Sequence, residues 1–140
     1  MTDKAPELVP SVKEYILAFR MIENLMTEKQ RKMLVEHYKS YCNVTTSTDL
    51  ALLTGYKDFS AANNQYGRLG SMVSNALDLG SLGVITLVLM VPPQENVISE
   101  WLWVMRANVV EALERLRWVE KTSHLFFPTG PVGGKKYFPD

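Results

Sequence analysis

The stretch FSAANNQYGRLGSMVSNAL, Phe59 to Leu77, decides how the chain folds. Set at about 100° per residue, Ala62, Tyr66, Leu69, Val73 and Ala76 gather on one side, with Leu77 at the margin. Ser60, Asn64, Arg68, Ser71 and Asn75 gather on the other, while Asn63, Gln65 and Tyr66 turn toward the body. The first stripe reads as a core face. The second is uncharged and polar apart from one arginine, whereas a merely solvated face is usually filled with Glu and Lys. Asn and Arg are also the side chains that make two-pronged bonds to adenine and guanine edges.

Toward the N-terminus, residues 1–9 read as a loose leader, and Pro10 or Ser11 starts a helix. Its Tyr15, Ile16, Phe19, Ile22 and Leu25 recur at helical spacing and should dock on the core. Thr27-Glu28-Lys29-Gln30 matches a capping box, so a second helix runs to about Tyr41 and buries Leu34, Tyr38 and Tyr41. Val44-Thr45-Thr46 is a β-branched stub. Ser47 or Thr48 then caps a short helix carrying Leu50, Leu52 and Leu53, which Gly55 stops. Tyr56-Lys57-Asp58 is a tight link into the opening stretch.

Toward the C-terminus the period changes. Val84 to Val91 reads as a buried strand, ended by Pro92-Pro93. A turn at 93–96 leads to a second strand over Ser99–Met105, and the two form an antiparallel hairpin. Ala107 to Leu116 returns to helix with Val109, Val110, Leu113 and Leu116 inward. From Phe126 the chain is rich in Gly, Pro and aromatics.

The order is therefore helix, helix, strand stub, short helix, long helix, hairpin, helix, which is that of a winged helix-turn-helix domain. The expected fold class is α+β, a winged helix-turn-helix-like domain with an extra N-terminal helix and an irregular C-terminal tail. A chain of 140 residues reads as a single domain, its core about 11–119 and its tail 120–140. Fifteen basic and fifteen acidic residues cancel, which argues against a strongly non-specific nucleic-acid binder but not against a local reading patch. One cysteine permits no intramolecular disulfide, and no apolar run suits a signal peptide or a membrane span. A soluble cytoplasmic protein is expected.

The run MTEKQRKMLVEHYKS, the run TSTDLALLTGYKDFSAANNQYGRLGSMV and the later EWLWVMRANVVEALERLRWV resemble a module at the amino-terminal side of bacterial restriction-like HNH endonucleases. The resemblance covers roughly Tyr15 to Val119, and NQYGRLG and WLWVMR carry most of its specificity. It implies a module that accompanies a nuclease and helps to choose DNA, in restriction or phage defence. The departure is the missing nuclease half. An HNH centre needs histidines for its metal, and His37 and His124 are the only two. The resemblance then leaves the recognition part alone, without catalytic residues, metal or cofactor.

Asn64 and Arg68 lie one turn apart, with Ser60 before them and Ser71 beyond Gly67. This ladder suits base edges in a major groove, while Lys57 or the helix N-terminus holds a phosphate. In the alternative, Asn63 and Asn64 satisfy the turn and Arg68 pairs with a carboxylate. Gly67 and Gly70 each cost about 1 kcal/mol against Ala in a helix. Close packing explains that better than the approach of a ligand backbone. Trp101 and Trp103 share a strand face and close a core rather than stack bases. Arg106, placed near the wing, either contacts a phosphate or caps a carbonyl. Cys42 beside His37 lacks the marks of a nucleophile and reads as a small buried hydrophobe. Gly133-Gly134-Lys135-Lys136 lacks the spacing and helix of a phosphate loop, though its lysines could add phosphate contacts.

The expected function is non-enzymatic recognition of duplex DNA through Lys57, Ser60, Asn64, Arg68, Ser71 and Arg106. The competing expectation is a protein-interaction or inhibitor module docking on a larger nucleoprotein or defence complex, which zero net charge favours.

Overall fold

The structure, a computed structural model, describes residues 9–93 and 99–121. Among them are five α-helices and a three-stranded antiparallel sheet, a mixed α+β architecture. The helices are α1 (Val12–Ile22), α2 (Glu28–Lys39), α3 (Ser47–Thr54), α4 (Phe59–Ala76) and α5 (Ala107–Leu116). The strands are β1 (Val44–Thr45), β2 (Val88–Val91) and β3 (Leu102–Met105), in the order β1-β3-β2.

Local chemistry sets most helix starts. Ser11 and Glu14 form one capping box and Thr27 and Gln30 another, each satisfying two backbone N–H groups that a helix start leaves open. For α3 the cap is Thr46, one residue before the expected pair: its hydroxyl accepts from Asp49 N at 3.1 Å. Gly55 closes α3 with φ +84, a left-handed value that a side chain would oppose.

The core joins Tyr15, Ala18 and Phe19 of α1, Met33, Leu34 and Tyr38 of α2, Leu50 of α3, Ala62, Tyr66, Leu69 and Val73 of α4, and Val109 and Leu113 of α5. Leu25 was expected to join them. Helix α1 ends at Ile22, and Leu25 lies in the turn after it, 70% exposed. Tyr41 and Val110 are only half-buried.

At its centre His37 is buried and bonded at both ring nitrogens. Its Nε2 lies 2.9 Å from Trp103 O and its Nδ1 2.8 Å from Tyr66 Oη. A carbonyl only accepts, so Nε2 carries the proton and the Tyr66 hydroxyl donates to Nδ1. This chain ties α2 to both α4 and β3.

Met105 pairs with Val88, Trp103 with Met90, and Leu102 with Val91. Trp103 and Met105 face the helices, and the Trp103 ring packs 5.3 Å from that of Tyr66. Trp101 precedes the strand and is 49% exposed, so the two tryptophans do not close one core.

The expected strand over 84–91 is half correct. Only Val88–Val91 is strand, while Gly83–Thr86 forms a 3₁₀ turn. Tertiary bonds hold this turn: Tyr15 Oη donates to Thr86 O at 2.6 Å, and Arg106 Nε donates to Ile85 O at 2.9 Å. Helix α2 also stops early, at Lys39, and Cys42 and Asn43 follow with φ of 56° and 61°. Cys42 is exposed, contrary to the expected buried hydrophobe, and both ring nitrogens of His37 are committed elsewhere. The turn residues 94–98, His124 and the tail with Lys135 and Lys136 lie outside the described residues.

Candidate functional site

Helix α4 is divided along its length. Its C-terminal half is clamped by residues 80–86. Ser71 Oγ accepts from Gly83 N at 3.0 Å. Ser74 Oγ donates to Gly80 O at 2.6 Å and accepts from Leu82 N at 3.0 Å, and Asn75 Nδ2 donates to Ser81 Oγ at 2.9 Å. Gly70 makes the close approach possible, because a Cβ there would lie 2.1 Å from Gly83 O. The N-terminal half is open. Ser60, Asn64 and Arg68 are exposed, and none has a side-chain hydrogen bond or ion pair among the described residues.

The expected site therefore separates. Lys57, Ser60, Asn64 and Arg68 lie on or beside the open half. Ser71 does not belong to a free face: its hydroxyl pins the 80–86 segment. Arg106 is not near the β2–β3 turn. It follows Met105, at the sheet end opposite Val91 and Leu102, and its guanidinium holds the Ile85 carbonyl, while its own backbone N donates to Leu87 O. Of the two roles weighed for Arg106, carbonyl binding is the observed one.

Three further details change the expected chemistry. Asp58 caps α4, its Oδ1 accepting from Ala61 N at 2.9 Å, so a carboxylate occupies the helix N-terminus that was expected to meet a phosphate. Neither Asn63 nor Asn64 serves the turn, and Asn63 is exposed instead of turned inward. Arg68 has no carboxylate partner among the described residues: no acidic residue lies between Asp58 and Asp78, and none of the ion pairs formed involves Arg68.

No protein-family model matches this chain, and no curated protein or solved structure matches it significantly. What the site can do rests on its own geometry.

A shallow depression of about 760 Å³ runs from the middle of α4 along its clamped half, its walls including Leu25, Gln30, Gln65, Gly67, Arg68 and Met72 together with the clamp residues Ser71, Asn75 and Gly83. Gln30 Nε2 donates to Gln65 Oε1 at 3.3 Å, which ties the start of α2 to α4 across it. Amides and one guanidinium beside two apolar side chains suit a polar, partly anionic surface. Among the described residues no group of three or more His, Cys, Asp or Glu is placed to hold a metal ion. No helix there is long and apolar enough to cross a membrane.

The two glycines of α4 have different explanations. Gly70 fits close packing. Gly67 does not, since among the described residues a Cβ built on it meets nothing within 4 Å. Sequence reasoning also missed Lys29. Its ammonium donates to Gly55 O at 3.2 Å and lies 5.0 Å from the Tyr56 ring centre, which places a second cation at the α3–α4 turn beside Lys57. The capping box puts Lys29 in the first turn of α2, but only the tertiary contact takes it to that turn.

Proposed function

We propose that this chain is a winged helix-turn-helix domain that recognises duplex DNA without catalysing a reaction. In this reading α3 and α4 are the helix pair, α4 enters the major groove, and β2 with β3 forms the wing. The element order and the strand order β1-β3-β2 support it. One observation carries it: the N-terminal half of α4 presents Ser60, Asn64 and Arg68 outward, unpartnered among the described residues, on a helix whose only charge is Arg68. A solvated face would show mixed charge, and a packed face would be covered. Arg68 and Asn64 then meet base edges, while Lys57 and Lys29 meet phosphates. The resemblance to the module of HNH endonucleases points the same way, toward target choice beside a nuclease in restriction or phage defence.

The test is an electrophoretic shift series on random duplexes across salt concentrations. Affinity should fall steeply with salt, because bound cations displace counterions from DNA. Arg68→Ala and Asn64→Ala should each cost roughly 1–3 kcal/mol, and Lys57→Ala should lower the salt slope by about one. No binding at low salt, or binding indifferent to all three substitutions, would sink the proposal.

A second reading has its own observation. Leu17, Met21 and Leu25 form an exposed apolar line on and just beyond α1. Such a line favours a protein partner, and a complex held by it would show little of the salt dependence above.

A further inference from the structure

Within the DNA-recognition reading, and resting on it, the geometry points to Gly67 as the place where α4 lies closest to the base pairs. From this position, we infer, Asn64 reads an adenine and Arg68 a guanine about two base-pair steps away. Gly70 and Gly67 occupy the same helix one turn apart, and both replace residues that hold a helix better. Gly70 has its reason inside the molecule, the Gly83 carbonyl 2.1 Å from where its Cβ would stand. Gly67 has none among the described residues, where the same position meets nothing within 4 Å. The described residues therefore give the glycine at 67 no packing reason, and a bound surface supplies one.

The surroundings say what that outside body is. Gly67 lies on the outward arc about 60° from Asn64, on the side away from Arg68, and with Arg68 forms part of the wall of the depression of about 760 Å³. Both neighbours are exposed and uncommitted among the described residues. A side chain at 67 would project beside Asn64 and hold that face of the helix off whatever Asn64 touches. Its absence lets the α4 backbone settle against a surface that Asn and Arg both bond, which base edges provide: adenine for Asn, guanine for Arg. Four residues of helix advance about 6 Å, and base pairs stack about 3.4 Å apart, so the two side chains reach positions about two steps apart.

The experiment has two arms on the intact chain. In the first, duplexes are selected from a random pool by wild type, Asn64→Ala and Arg68→Ala. Wild type should enrich sites with an adenine and a guanine two steps apart. Arg68→Ala should lose the preference at the guanine alone, and Asn64→Ala at the adenine alone. In the second arm, Gly67→Ala is melted and titrated with the selected duplex. It should melt a few degrees higher, about 4 °C, because alanine favours the helix and meets nothing. It should also bind at least about tenfold more weakly, the scale of one disturbed base contact. A Gly67→Ala protein that binds like wild type, or melts lower, overturns the inference while leaving DNA recognition standing. Selected sites without the paired preferences overturn it as well. A wild type that binds no duplex at low salt overturns both.

Discussion

Lowering the pH should loosen this fold through one residue, His37. Burial pushes its imidazole from the ordinary 6.5 down to about 4, against the smaller opposing effect of its bond to the Trp103 carbonyl. The folded protein keeps the ring neutral, with Nε2–H on Trp103 O and Nδ1 accepting from Tyr66. The unfolded chain takes up a proton near pH 6.5. Between the two values the unfolded state binds more protons, so stability present above pH 6.5 is lost as the pH falls toward 4. With these two values the loss from pH 7 to pH 5 is about 2 kcal/mol, a large share of a small domain's stability. The measurement is chemical denaturation at pH 7, 6 and 5 for wild type and His37→Gln. The variant should be weaker at pH 7 by roughly 1–3 kcal/mol, since the buried Tyr66 hydroxyl loses its acceptor. The gap between the two proteins should then close as the pH drops, because only wild type carries the His37 penalty. A gap that stays constant from pH 7 to pH 5 would refute the reasoning.

Other perturbations separate clamp, core and cap. Gly70→Ala drives a Cβ into the Gly83 carbonyl and should cost roughly 1–3 kcal/mol in thermal melts, the opposite sign to the alanine at 67. Thr86→Val should add about 1 kcal/mol in urea titrations, because the Thr86 hydroxyl is buried without a hydrogen-bond partner among the described residues. Asp58→Ala should remove about 1 kcal/mol of helix capping while raising duplex affinity at low salt, since it takes a negative charge from beside Lys57. Equal or weaker binding by that variant would place the DNA away from the start of α4.

Much of the architecture was legible because its signals are local. The helix start at Ser11, the capping box at Thr27 and the stop at Gly55 all lie within four residues of what they control. The long helix was legible too, since 18 residues give its apolar period several repeats. What escaped was long-range. An apolar run over 84–91 reads as strand, and its first half became a 3₁₀ turn through bonds to Tyr15 and Arg106. Ser71 sits on the polar arc of the wheel like Ser60, yet its partner Gly83 is twelve residues away. Arg106 follows the hairpin in sequence, yet the strand register carries it to the sheet end away from the β2–β3 turn. The candidate site was thus half legible: side-chain types and spacing marked Asn64 and Arg68, while the limits of the open face depended on where residues 80–86 cross.

The division of α4 into an open half and a clamped half affects how such a protein can diversify. Ser60, Asn64 and Arg68 have no side-chain bonds within the described molecule, so exchanging them leaves its internal bonding intact. Ser71, Ser74 and Asn75, one turn on, bond the crossing segment. Variation at the first three positions is cheap and at the last three it is punished. Lineages carrying this helix can therefore rewrite the outward letters one at a time while the frame beneath them stays still.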